Sequence, residues 1–197
     1  QADEDYIGIS ITPNPSWKGK WHDIVADHRF SDRCYGVVEI NYAIRVPADF
    51  STIQAAIDSV QLGETKEIEV APGTYNEAID FKGKAITVKA TGARASTIID
   101  GTGLTTSVVR AVTGETSATV LQGFTIRNGP IGSASGTYRL GGGIFISNAS
   151  PTIRDCAFTA NQAAYGGGMY ALYSNSLVEN CTFSQNSGSA DGGGTPA

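Results

Sequence analysis

Residues with the types and spacing to do chemistry fall in two stretches of this 197-residue chain. The first, WHDIVADHRF, holds the two histidines, His22 and His28, beside Asp23 and Asp27. A spacing of six does not align two ligands on one helical face as an i, i+4 pair does. On a strand it puts both on one face, well apart along it. The stretch therefore reads as a solvated turn or packing segment. The second is the C-terminal half, where Asp155, Glu179 and Asp191 accompany Arg127, Arg139 and Arg154. Arg154 and Glu179 hold equivalent places in adjoining copies of a repeat, so an exposed ion pair between them is expected. No G-x-S-x-G, Walker loop or C-x-x-C occurs, and neither GTGLTTS nor the GGG runs join a strand to a phosphate-binding helix. No residue earns a catalytic, cofactor-binding or metal-ligating assignment.

Composition narrows the classes. Charged residues are 17%, below the usual quarter, while hydrophobic residues at 41% suit a globular protein. The 24 glycines crowd the second half with Ser, Thr and Asn, interleaved with Ile, Val and Phe, a pattern of short strands and tight turns. A net charge of -5 without a basic stripe argues against a nucleic-acid partner. No apolar run approaches the roughly 18 residues that would span a bilayer. Three cysteines, Cys34, Cys156 and Cys181, are too few for a disulfide scaffold. The chain starts at Gln1, as after removal of a leader or in a fragment. Low charge, many small polar residues and this start together predict a secreted or cell-surface protein.

The elements that must position these residues are written as a repeat. Gly143 matches Gly168, Ile144 matches Met169, Ile153 matches Val178, Cys156 matches Cys181, Phe158 matches Phe183 and Asn161 matches Asn186, each pair 25 apart. Such a period marks a solenoid, in which each repeat buries its apolar face only against its neighbours. Three short alternating pieces per copy (GGIFIS, PTIRD, CAFTAN) describe a parallel β-helix. TVLQGFTIRN fits an earlier coil, with Phe124 in the Cys156 place, Ile126 in the Phe158 place, and Gly123 at the bend of Asp155 and Asn180. The stretch 129–140 reads as a lateral loop. Ile68, Val70, Ile79, Phe81, Ile86 and Val88 supply a first coil, and STIIDG and SVVRAV continue it. In PADFSTIQAAIDSV, Ser51 and Gln54 have capping-box spacing, and Ile53, Ala56, Ile57 and Val60 form one apolar face. This predicts a capping helix over 51–60 that covers the open core and its strand edges.

IRVPADFSTIQAAIDSV, IEVAPGTYNEAIDFKGKAITVKATG and STIIDGTG resemble the opening of the pectin lyase-like superfamily of right-handed parallel β-helix repeat proteins. They are most similar to pectinesterase starts and to bacterial surface proteins of β-helix repeats. The resemblance covers about residues 44–194 and implies an all-β, right-handed parallel β-helix with coils of about 25 residues. Pectinesterases carry their aspartates, arginine and glutamines in QAVAL and DFIFG phrases, which are absent here; the chain diverges after GFTIRNG. Pectate lyases of this fold use an acidic calcium cluster with an arginine as base. Hard cations need several converging oxygens, so Asp155, Glu179 and Asp191 are the residues through which calcium would enter.

Cys156 and Cys181 should stack inward about 4.8 Å apart, a small apolar ladder that also has the spacing for a disulfide. Asn148-Ala-Ser150 and Asn180-Cys-Thr182 match glycosylation acceptors, and Asn180 is also placed to bond within a ladder. SADGGGTPA repeats the approach to another coil and then stops, which predicts an uncovered end around Met169, Val178 and Phe183. The first 43 residues form a strand-rich extension to the β-helix at 44–197, with Ile7, Ile9 and Ile11 on one strand face and Val38 and Ile40 on another. These eight residues are the candidate assembly surfaces, through which copies join head to tail or a longer β-helix continues. Two functions follow. One is an extracellular structural or adhesive protein, such as a filament or surface-layer subunit. The other is a carbohydrate-active enzyme or polysaccharide-binding module, with this chain a fragment.

Overall fold

The computed structural model describes residues 43–130 and 140–189, and within them the chain winds as a parallel β-helix. Strand β1 (Ile44–Val46) and helix α1 (Ile53–Ser59) form the first layer. The next coil is β2 (Lys66–Val70), β3 (Gly73–Tyr75) and β4 (Ile79–Asp80). It is followed by β5 (Ile86–Ala90), β6 (Thr97–Asp100) and β7 (Val109–Ala111). Then come β8 (Val120–Gln122), β9 (Thr125–Arg127) and β10 (Ile144–Ser147). The repeat copies supply β11 (Thr152–Arg154), β12 (Ala157–Thr159), β13 (Gln162–Ala163) and β14 (Met169–Leu172). The last described coil is β15 (Leu177–Glu179), β16 (Thr182–Ser184) and β17 (Ser187–Gly188).

Three parallel sheets run along the axis, in the orders β1-β2-β5-β8-β11-β15, β3-β6-β9-β12-β16 and β4-β7-β10-β14, with β13 and β17 as a short fourth ladder. Period-2 alternation sends every second side chain inward. In the first sheet Ile44, Ile68, Val88, Leu121, Ile153 and Val178 stack in register. Successive coils there take 24, 20, 33, 32 and 25 residues, so the period of 25 holds for the repeat copies and not for the whole stack. Length varies because excess residues leave as lateral loops between strands without disturbing the register. The segment read as one first coil crosses into the next, since Ile86 and Val88 pair with Lys66 and Ile68 one layer away. The lateral excursion falls largely on 131–139, outside the described residues.

The helix begins one residue later than the capping box predicted. Thr52, not Ser51, is the N-cap, its Oγ1 accepting from Ala55 N at 3.1 Å. Gln54 does not return to the cap; its Nε2 donates to Asp58 and its Oε1 accepts from Asp80 N at 2.7 Å. The adjacent coil takes over that role: the Glu77 carboxylate accepts from Ile53 N and Gln54 N at 2.9 and 2.8 Å. At the other end Lys84 Nζ donates to the Ile57 and Asp58 carbonyls. A carboxylate at the positive end and an ammonium at the negative end both favour the helix dipole. Ile53, Ala56, Ile57 and Val60 are buried, and α1 packs against β1, β2 and β4.

The GGG phrases have a steric cause. Gly141 and Gly166 both sit at φ +62, a left-handed conformation that glycine adopts without penalty. At Gly143 a Cβ would lie 2.4 Å from the Gly168 carbonyl oxygen, and at Gly167 2.3 Å from that of Ser187. Backbone thus approaches backbone where a coil passes its neighbour. Gly143→Ala should lower unfolding free energy in urea by about 3 kcal/mol, the upper part of the range for overpacked sites; a change below about 0.5 kcal/mol would mean that the strands separate freely there.

Candidate functional site

The strands β14, β15 and β16 are the outermost members of their three sheets, all at the same end of the stack. Among the described residues nothing covers their inward side chains on the far side, whereas the coils before them have described neighbours on both. Val178 is 38% and Phe183 48% exposed, whereas Ile153 and Phe158, their register partners, are 0% exposed. The Phe183 ring stacks on Phe158 at 4.9 Å between centroids, 7° from parallel, and no described residue lies on its other face. Met169 packs against the core from the third sheet. Of the predicted assembly residues, Met169, Val178 and Phe183 are therefore brought to one cross-section. Ile7, Ile9, Ile11, Val38 and Ile40 lie outside the described residues, as do His22, His28, Asp23 and Asp27.

An asparagine ladder runs to the same face. Gly129 N donates to Asn161 Oδ1 at 2.8 Å, and Asn161 N to Asn186 Oδ1 at 3.0 Å, so each carboxamide serves the coil before it. The Nδ2 atoms donate to the carbonyls of Ile126 and Phe158. This satisfies Asn161 at full burial, as a buried amide requires. Among the described residues none supplies the matching acceptor to Asn186 N. The sequence pairs Asn161 with Asn186; their role as coil-to-coil connectors was not read from it, although identical polar residues one period apart are its signal.

Other polar groups are taken up by structure. Asp100 is nearly buried and bonds Arg127 Nε at 2.7 Å, Thr102 N at 2.9 Å, Thr102 Oγ1 at 2.6 Å and Asn128 Nδ2 at 3.1 Å. Burial alone would raise its pKa; the Thr102 hydroxyl and N–H outweigh that, with Arg127 and Asn128, and hold the carboxyl well below the usual carboxylate range. Arg127 is thus a structural partner. Arg154 and Glu179 are register neighbours, but no ion pair forms between them. The expected exposed pair is therefore not formed, and the Arg154 Nε is buried without a hydrogen-bond partner. Asp155 accepts from Gln122 Nε2 at 3.2 Å and Asn180 Nδ2 at 3.3 Å, lining a hollow with Arg94, whose Nη1 donates to the Asn180 carbonyl at 3.1 Å. Gly123, Asp155 and Asn180 share a left-handed bend, at φ +84, +56 and +51. Asn180 thereby bonds within a ladder, while Asn148 lies exposed at its own bend.

Among the described residues no group of three or more His, Cys, Asp or Glu is placed to hold a metal ion. Among the described residues Asp155 and Glu179 are not joined by a third acidic ligand; Asp191, the third residue of that set, and Arg139 lie outside the described residues. On the third sheet Asp80, Arg110, Phe145 and Tyr170 follow one another in register, facing outward. Asp80 and Arg110 pair at 3.5 Å, and the Phe145 and Tyr170 rings lie 6.2 Å apart at 38°.

A family model described as a right-handed beta helix region matches residues 111–193. The chain is a right-handed parallel β-helix, the fold that the opening phrases implied. Among solved structures it is similar to a mutant pectin methylesterase in complex with a hexasaccharide, at 19% identity and a TM-score of 0.49, over 72% of this chain and 48% of that one. The chain thus spans about half the length of that enzyme. No curated protein matches the sequence. Among the described residues no helix is long and apolar enough to cross a membrane.

Asp100→Asn should destabilise the protein at neutral pH by about 2 kcal/mol, the scale of lost charge-assisted bonds. A depressed pKa stabilises above the unfolded value, near 4, and that stabilisation is lost as pH falls through the folded value. The gap in Tm between wild type and variant should accordingly narrow as pH drops below about 4. An equal gap at neutral and acid pH would show that Asp100 contributes by shape alone.

Proposed function

We propose that this protein is an extracellular structural or adhesive β-helix whose exposed end is an assembly surface, occupied by a second copy joined head to tail. The observation that carries the reading is the coincidence of three sheet edges with the uncovered ladder residues Val178 and Phe183. Unpaired edges accept strands, and an apolar cross-section favours an occupant that continues the ladders. Residues 1–43 of a neighbouring copy, with Ile7, Ile9, Ile11, Val38 and Ile40, have a sequence alternation suited to doing so. A contact between two different surfaces of one chain that does not close into a ring propagates as a filament. Asp100, Arg127 and Asp155 are occupied by structural bonds, which further supports a scaffold role.

Sedimentation and negative-stain microscopy should show concentration-dependent oligomers or filaments. Val178→Lys with Phe183→Glu should return the chain to monomers with an unchanged β-sheet circular dichroism spectrum, because both side chains are exposed. A wild-type chain that stays monomeric throughout, or deletion of residues 1–43 without effect on oligomeric state, would overturn the head-to-tail arrangement.

A second reading is supported by the outward Phe145–Tyr170 rings beside the Asp80–Arg110 pair: a surface that binds acidic polysaccharide, or acts on it. Aromatic faces beside charged groups suit sugar rings with carboxylates. Incubation with polygalacturonate and calcium tests its enzymatic form. A rise in ultraviolet absorbance from unsaturated product would place this reading first; unchanged absorbance favours the structural one.

A further inference from the structure

Cys156 and Cys181 occupy the inward position directly after the bends at Asp155 and Asn180. Bonds from Asp155 N to the Glu179 carbonyl, 3.0 Å, and from Thr182 N to the Cys156 carbonyl, 2.9 Å, flank the pair and fix its register. Strands so paired hold their Cα atoms about 4.8 Å apart, inside the range of roughly 4.4–6.8 Å that a disulfide spans. Both thiols are free. Cys156 Sγ lies 3.2 Å from the Arg154 carbonyl oxygen and Cys181 Sγ 3.2 Å from that of Glu179, the same arrangement one coil apart.

The two sulfurs differ in access and in charge. Cys156 is fully buried, while Cys181, in the last described coil, is only partly covered. The neighbouring Cys156 thiol, aided by Arg94 and opposed by burial and by Asp155, lowers the Cys181 pKa to about 7. The Cys181 sulfur beside it and burial push the Cys156 thiol up. An accessible sulfur that ionises near neutral pH, backed by a protonated one, is the arrangement of an attacking and a resolving thiol.

We propose that Cys181 is a site of thiol–disulfide exchange and that Cys156 resolves it, closing a disulfide that ties the last two described coils together. The Cys181 thiolate attacks a sulfur of a low-molecular-weight disulfide, forming a mixed disulfide and releasing one thiolate. Cys156 gives up its proton, its sulfur attacks Cys181 Sγ, and the second small thiolate leaves and takes the proton. In sum, two protein thiols are oxidised to one disulfide and one small disulfide is reduced to two thiols. Stacked Cβ atoms must move closer than the strand spacing for this bond. The coil carrying Cys181 has described neighbours on one side only, and closing the bond requires it to shift toward Cys156.

The test uses the folded chain carrying Cys34→Ser, so that two thiols remain, with oxidised glutathione as the probe and peptide mapping by mass spectrometry as the readout. The expected product has lost two hydrogens, links the Cys156 and Cys181 peptides, retains no glutathione and has a higher Tm. With Cys156→Ser, glutathione should remain on Cys181. With Cys181→Ser, Cys156 should stay unmodified until denaturant is added. Iodoacetamide should label Cys181 at least roughly tenfold faster than Cys156. A glutathione adduct that persists on Cys181 while Cys156 stays reduced, or no reaction in the folded chain with reaction in denaturant, would overturn the proposal.

Discussion

In-register stacking of coils is the constraint on which the rest of this structure depends. Strands of two to five residues bury almost nothing alone; their inward side chains become a core only when the same positions recur one layer away. Ile68, Val88, Leu121 and Ile153 reach full burial because each is covered from above and below. A one-residue slip in any strand would turn its apolar set to solvent. This explains why coil length is free to vary while register is not, and why length changes are confined to connections between strands.

The fold was legible in the sequence to the extent that its determinants repeat. Alternating Ile, Val and Phe, the doubled GGG phrase, and bends at Gly123, Asp155 and Asn180 are local patterns, and each sits where its spacing implied. What stayed hidden came from contacts between residues with no shared phrase. The Glu77 carboxylate supplies acceptors to the helix N-terminus from 23 and 24 residues away, so the local Ser51–Gln54 spacing gave the wrong cap. Asp100 finds Arg127, its register partner one coil on, across an irregular connection of 27 residues. Arg154 and Glu179 erred in the opposite direction: equivalent positions ensured proximity, but side-chain geometry decided against the pair. Of the candidate site, the cross-section residues Met169, Val178 and Phe183 were readable from the repeat; the asparagine ladder leading to them was present in the same alignment.

Polar residues in a thin solenoid face a particular demand. Most of the chain is close to a surface, yet the backbone at each bend must still find partners. Asp100, Glu115 and Asn161 meet that demand by accepting bonds from N–H groups at the bends. The carboxylates of Asp100 and Glu115 are thereby committed to holding the chain's path. The thiols are the contrast: neither is needed to satisfy a bend, and one lies at the edge of the core.

Helix α1, held between Glu77 and Lys84, gives the solenoid a direction. At that end a layer cannot be inserted without rebuilding the cap and both of its ionic contacts. At the other end the repeat copies share length, glycine placement and asparagine connectors, so a whole 25-residue unit can be gained or lost while every ladder keeps its register. Variation in the length of such a molecule is therefore quantised and one-sided. A gene encoding it can add or remove one coil of the β-helix by duplicating or deleting one segment that carries a full repeat.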